Sequence, residues 1–189
     1  PETDILTGNT VIDALLAPVR QDYHFVTPAL AGLDPRSRIV LVTTHRRESF
    51  GPPLEALCAA LRDIAERYAS TVHIVYPVHL NPNVQGPVRH HLAGLTNVLL
   101  TEPLDYVTLV HLMKRSHIIL TDSGGIQEEA PSLGKPVVVL RETTERPEAV
   151  EAGAARVVGM QRAHIVEGTV RLLEDPHEYA RMAQTINPY

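Results

Sequence analysis

The sequence predicts an α/β fold: one parallel, doubly wound sheet covered by helices on both faces. Three observations carry that expectation. Short β-branched runs alternate with amphipathic helical segments along the chain. The runs are apolar at successive positions, as in strands buried between two helical layers. The segments that follow them are polar or rich in Gly and Pro, as befits the sheet edge where ligands of such folds bind.

Residues 1–38 read as a lead-in helix and loop, with the turn-rich stretch 22–38 expected to form a surface loop, and residues 39–189 read as the domain itself. The expected strands are Ile39–Thr44, Val72–Val78, Asn97–Thr101, His117–Thr121, Pro136–Leu140 and Arg156–Val158. Between the first two lies a clear helix. Leu54, Leu57, Cys58, Leu61, Ile64, Ala65 and Tyr68 share one face, Glu55, Arg62, Asp63, Glu66 and Arg67 the other. Pro52 and Pro53 suit its first turn. Further helices fit Val84–Leu92, Tyr106–Lys114, Gly125–Leu133, Pro147–Ala152, His164–Glu174 and His177–Gln184.

With 189 residues there is room for one ordinary domain. A net charge of −5 argues against non-specific nucleic-acid binding, so any phosphate must be held locally by a helix terminus and a few placed cations. No apolar stretch is long enough to span a bilayer, and no signal-peptide pattern is present. The single Cys58 excludes an internal disulfide or a Cys-rich zinc site, and makes a cytoplasmic location the expectation. Pro1 opens the chain without an initiator Met, which reads as an excised domain or the ordered part of something longer.

The most informative stretch is Thr121-Asp122-Ser123-Gly124-Gly125-Ile126-Gln127-Glu128-Glu129. A strand ends, two glycines let a ligand approach the backbone, and a helix begins with free N–H groups and the positive end of its dipole. That is an anion site, to which Ser123 adds a hydroxyl. Helical side chains lean toward the N-terminus, so Glu129 reaches back past the anion to a position suited to ribose hydroxyls. The plainer alternative is that Ser123 merely caps the helix. A capping box would want Glu or Gln where Ile126 stands, and paired glycines cost helix stability without such a reason. No Gly-Lys-Ser/Thr follows, so this is not a P-loop.

Two further segments fall on the same edge. Thr44-His45-Arg46-Arg47-Glu48 places an imidazole and two guanidiniums after the first strand; the alternative is a solvated loop. Arg146, just before a helix starting at Pro147, is placed to clamp a phosphate, or else lies in an exposed charged loop. His90, His91, His111, His117 and His177 read as surface or core residues, and neither a metal nor another cofactor is expected.

Taken together, the chain resembles the non-hydrolysing UDP-N-acetylglucosamine 2-epimerases of bacteria. The resemblance rests on Gly8-Asn9-Thr10-Val11-Ile12-Asp13, Thr44 to Glu48, Tyr76 to Asn83, Asp122 to Lys135, and Thr143 to Glu148, in family order. It implies the C-terminal Rossmann-like half of a glycosyltransferase-B-type architecture, the N-terminal catalytic half being absent. It also implies UDP-GlcNAc, UDP-ManNAc and UDP as ligands and a homodimer in the complete protein, with no nucleic-acid or membrane partner.

By the same resemblance, Ser123 and Gly124 would hold the diphosphate and Glu129 the ribose. Arg146 and His45 would lie near the phosphates and the reacting sugar. Backbone groups at Leu104 would read uracil, and Leu109 stands where some relatives carry Phe. Arg46, Glu48 and His79 match positions linked to a second, activating UDP-GlcNAc. The family inverts C2 by eliminating UDP to a 2-acetamidoglucal and adding it back. The helix N-terminus, Ser123, Arg146 and a protonated His45 would then stabilise the charge on the departing diphosphate, the acid–base carboxylates coming from the other half. A UDP-sugar glycosyltransferase half and a non-catalytic UDP-binding module are the alternatives.

Overall fold

The computed structural model describes residues 9–20 and 22–189. Residues 1–8 of the lead-in, with Gly8 of the first matching segment, lie outside that range.

Strands β1 (Arg38–Thr43), β2 (Val72–Pro77), β3 (Val98–Thr101), β4 (Ile118–Thr121), β5 (Val137–Val139) and β6 (Ala155–Val157) form one sheet in the order β3-β2-β1-β4-β5-β6. Every neighbouring pair is parallel. The helices are α1 (Thr10–Val19), α2 (Pro28–Ala31), α3 (Pro52–Arg67), α4 (Pro82–Leu92) and α5 (Tyr106–Arg115), then α6 (Gly124–Ser132), α7 (Pro147–Ala152), α8 (Arg162–Glu174) and α9 (Pro176–Ala183).

Alternation along each strand feeds two separate cores. Val40, Val42, Ile74, Tyr76, Ile118, Leu120 and Val138 pack under α3, α4, α8 and α9. Ile39, Leu41, Val75, Ile119, Val137 and Val139 pack under α1, α5, α6 and α7. Both faces of the central strands are therefore dry, which is why those strands read as unbroken apolar runs. Only the edge strand β3 is half-buried throughout. The phenol of Tyr76, wholly buried in the first core, is satisfied by the Thr44 hydroxyl.

Three boundaries differ from the sequence expectation for physical reasons. The stretch 22–38 is not all loop: Pro28 opens α2, whose Leu30 is buried in the second core, so a turn-rich composition hid one apolar anchor. Helix α6 starts at Gly124, not Gly125, so both glycines lie in its first turn. Helix α4 begins at Pro82 because Asn81 caps it, accepting from the Asn83 N–H at 3.0 Å. Elsewhere the boundaries agree to within a residue or two, and α7 matches as read.

Strand order places the site. The chain winds outward from β1 to β3, then returns to β4 on the other side of β1. The loops after β1 and β4 thus leave the sheet side by side in opposite directions, opening the crevice that doubly wound folds use for ligands. Thr43 and Thr121 close its floor through a hydroxyl–hydroxyl bond of 2.7 Å.

Candidate functional site

The crevice is built around the start of α6. Ser123 is its N-cap residue in extended conformation, yet its hydroxyl makes no capping bond. The backbone N–H groups of Gly124, Gly125 and Ile126 have no acceptor among the described residues. Four donors therefore converge where the helix dipole places roughly half a positive charge. A cap left unused on its own helix is what an external anion needs. The plain-cap alternative for Ser123 fails on this geometry.

Arg146 stands over the same spot. A Cβ placed on Gly124 would lie 3.9 Å from its Cζ and Nη2. Its Nε pairs with Glu128, and Nη1 donates to the Glu145 carbonyl at 2.9 Å. The loop is anchored from beneath by Gln127, which is wholly buried. Gln127 Nε2 donates to the Ser123 carbonyl at 3.0 Å, and its Oε1 accepts from Thr144, whose hydroxyl in turn accepts from the Arg146 N–H at 3.0 Å. This chain ties the cation to the helix terminus it overlies.

Glu129 sits on the α5-facing side of α6, only 7% exposed, and accepts from the Tyr106 hydroxyl at 3.1 Å. Burial pushes its carboxyl above the ordinary range, against the opposing pull of the Tyr106 bond, and the charge of Glu128 adds to the rise. Asp105 caps α5 through the Thr108 N–H at 3.0 Å and so fixes where Tyr106 leaves the loop.

His45 follows β1 directly. Its Nδ1 lies 3.2 Å from Asp122 Oδ1, and its ring lines a cleft of about 200 Å³ together with His79, Leu104 and Leu109. Pro77 and Pro103 complete much of that wall. His79 Nδ1 accepts from the Asn81 N–H at 3.1 Å. Leu104 and Leu109 pack against the second core beneath. The cleft thus offers an aliphatic wall at the carboxyl ends of β1 to β3.

Arg46 and Glu48 turn away from it. Arg46 makes a two-pronged pair with Glu145 at 3.2 and 3.1 Å, while Arg141 reaches Glu48 at 3.4 Å and Glu145 at 3.3 Å. The bonds from Arg46 and then Arg141 hold the Glu145 carboxyl down to about 2. Ser123, Gly124 and Arg146 are thus brought together, with Glu129 on the same helix. His45, His79, Leu104 and Leu109 share one cleft; Arg46 and Glu48 belong to a separate charged network and do not meet His79.

Sequence reasoning passed over four residues. Asp122 finds its partners 73 to 77 positions away, Gln127 and Thr144 meet across 17 positions, and Tyr106 reaches Glu129 across 23. For Asp122 and Gln127 the clue was the run of short polar residues flanking the paired glycines.

A model of the family described as UDP-N-acetylglucosamine 2-epimerase matches residues 1–189. A probable UDP-N-acetylglucosamine 2-epimerase of Ralstonia nicotianae is 57% identical over 192 residues, covering 98% of this chain and 51% of that protein. The UDP-N-acetylglucosamine 2-epimerase of Escherichia coli K12 is 51% identical over 197 residues, covering 97% and 50%. The crystal structure of UDP-GlcNAc 2-epimerase from Neisseria meningitidis bound to UDP-GlcNAc superposes with a TM-score of 0.89 at 45% identity, covering 98% of this chain and 51% of that one. The chain spans about half the length of the curated relatives it matches.

Proposed function

Because the chain belongs to the UDP-N-acetylglucosamine 2-epimerase family, we propose that it forms the UDP-gripping half of an isomerase interconverting UDP-GlcNAc and UDP-ManNAc. The observation that carries this reading is the unused N-terminus of α6 with Arg146 over it. The N–H groups of Gly124 to Ile126, the Ser123 hydroxyl and the guanidinium receive the diphosphate. They are already in place before charge develops on it, so little reorganisation opposes its departure. Glu129, steadied by Tyr106, accepts from the ribose hydroxyls, and the aliphatic cleft of Leu104 and Leu109 receives uracil. His45, on the shared edge, faces the departing diphosphate. Proton transfer at C2 falls to carboxylates outside this chain. Arg46, Glu48 and His79 contribute to an activating UDP-GlcNAc site only together with a second wall.

The complete enzyme is a homodimer in this reading, and it acts in the cytoplasm, to which the free, buried thiol of Cys58 is suited. Among the described residues no helix is long and apolar enough to cross a membrane.

The test is calorimetric titration with UDP, uridine and ADP. UDP binding clearly tighter than either control is expected. Equal affinity for UDP and uridine would remove the diphosphate role, and no binding by a folded chain would remove the reading.

A further inference from the structure

We propose that Asp122 is the positioning residue for His45, holding the neutral imidazole with its proton on Nδ1 so that Nε2 is the atom presented to the crevice. The inference rests on the reading of His45 given above.

Asp122 directly follows β4 and is wholly buried, at the point where the loops after β1 and β4 diverge. Its Oδ1 faces His45 Nδ1 and the His45 N–H, both at 3.2 Å. Its Oδ2 takes the N–H of His45 at 3.1 Å and of Arg46 at 3.0 Å, and the Ser49 hydroxyl at 3.0 Å. Two of these partners are backbone N–H groups, which can only donate. A carboxylate ringed by fixed donors can only accept. The ring nitrogen facing Oδ1 is therefore the one that carries the hydrogen, and Nε2 is left to face the crevice, bare while the ring is neutral and an N–H donor to the departing diphosphate when the ring is charged. When the imidazole is charged, the same buried carboxylate faces it directly, while solvent screens the pair from the exposed side of the ring. The ring itself is half-exposed, so without Asp122 nothing else among the described residues selects its tautomer.

Replacing Asp122 by Asn makes the logic testable. One oxygen becomes an NH2 group, which the Arg46 N–H cannot accept from. Two backbone N–H groups that can only donate, those of His45 and Arg46, face the Oδ2 place, so the amide oxygen keeps it even though the Ser49 hydroxyl there can also accept, and the amide nitrogen turns toward the lone pair of His45 Nδ1. The imidazole must then move its proton to Nε2.

Long-range proton–nitrogen correlation spectra of the labelled imidazoles read this directly, with His45→Gln identifying the His45 signals. At a pH where His45 is neutral, the unaltered chain is expected to show a protonated Nδ1 and a bare Nε2. Asp122→Asn should reverse the pattern. Ser49→Ala, which removes a donor from Oδ2 and leaves His45 untouched, should not. A protonated Nε2 in the unaltered chain would overturn the proposal even if Asp122→Asn failed to fold. So would a folded Asp122→Asn chain that kept the original tautomer. Addition of UDP is scored separately: a His45 signal that ignores UDP while keeping the expected tautomer removes the phosphate role of His45 and still supports the Asp122 assignment.

Discussion

Tyr106 donates its hydroxyl hydrogen to Glu129 Oε1 at 3.1 Å, joining the first residue of α5 to the middle of α6. The contact leaves the other carboxylate oxygen of Glu129 without a hydrogen-bond partner among the described residues, on a residue that is itself mostly buried. It also couples the loop proposed to hold uracil to the helix proposed to hold diphosphate.

Glu129→Ala should weaken UDP binding by about 1.5–3 kcal/mol, the worth of charge-assisted hydrogen bonds, or roughly one to two orders of magnitude in Kd. Calorimetry with UDP checks this. A UDP analogue lacking both ribose hydroxyls should bind the variant and the unaltered chain alike; unchanged UDP affinity would contradict the ribose role.

Ser123→Ala should reduce affinity for UDP and leave uridine nearly untouched. The hydroxyl makes no bond to its own helix, so its removal should scarcely change thermal stability. A parallel loss for both ligands would place Ser123 away from the phosphates.

Gln127→Leu keeps the buried volume close but cuts the link from the Ser123 carbonyl to Thr144 and the Arg146 loop. Leaving buried polar groups without their partners should cost about 1–3 kcal/mol. The urea midpoint should fall with an unchanged slope, and UDP affinity should fall with it as Arg146 loses its anchor. A midpoint equal to that of the unaltered chain would show that the link contributes nothing.

Two glutamates should give opposite pH dependences of stability. The folded Glu129 carboxyl, raised chiefly by burial, keeps its proton after the unfolded chain has lost it. Its contribution therefore declines as pH rises from the ordinary 4.5 through the raised value. Glu178 is held down to about 2, first by its bond from Arg181, with Arg156 assisting against burial. Its contribution is complete above 4.5 and is lost as pH falls toward about 2. Urea unfolding across this range should show the first dependence vanish in Glu129→Gln and the second in Glu178→Gln. A variant whose profile matches the unaltered chain removes that assignment.

The sheet was legible because burial on two faces leaves a local trace. Ile39 to Val42 can be apolar without a break only if both sides of β1 are covered, and the alternating helices say by what. Leu30 shows the limit: one anchor within a turn-rich stretch gives no period to read, and α2 went unseen. The proposed anion site was legible in part for a similar reason. Ser123, Gly124 and Gly125 are neighbours in sequence, and their chemistry follows from lying between a strand and a helix.

By itself, then, the sequence determined which segments are strands and helices, where the donors proposed to hold an anion lie, and which family pattern they follow. Those properties depend on residues a few positions apart, where backbone geometry sets the spacing. Tertiary structure decided the rest. That Ser123 leaves its own helix uncapped, that Arg146 overlies Gly124, and that Asp122 grips the loop after β1 depend on the return of the chain to β4 beside β1. Asp122 and His45 are 77 positions apart, and no local period reports a contact that only strand order creates. Arg46, Glu48 and His79 make the same point in reverse. They stand on neighbouring loops of one edge, yet ion pairing to Glu145 and Arg141 draws the first two away from the cleft that His79 lines.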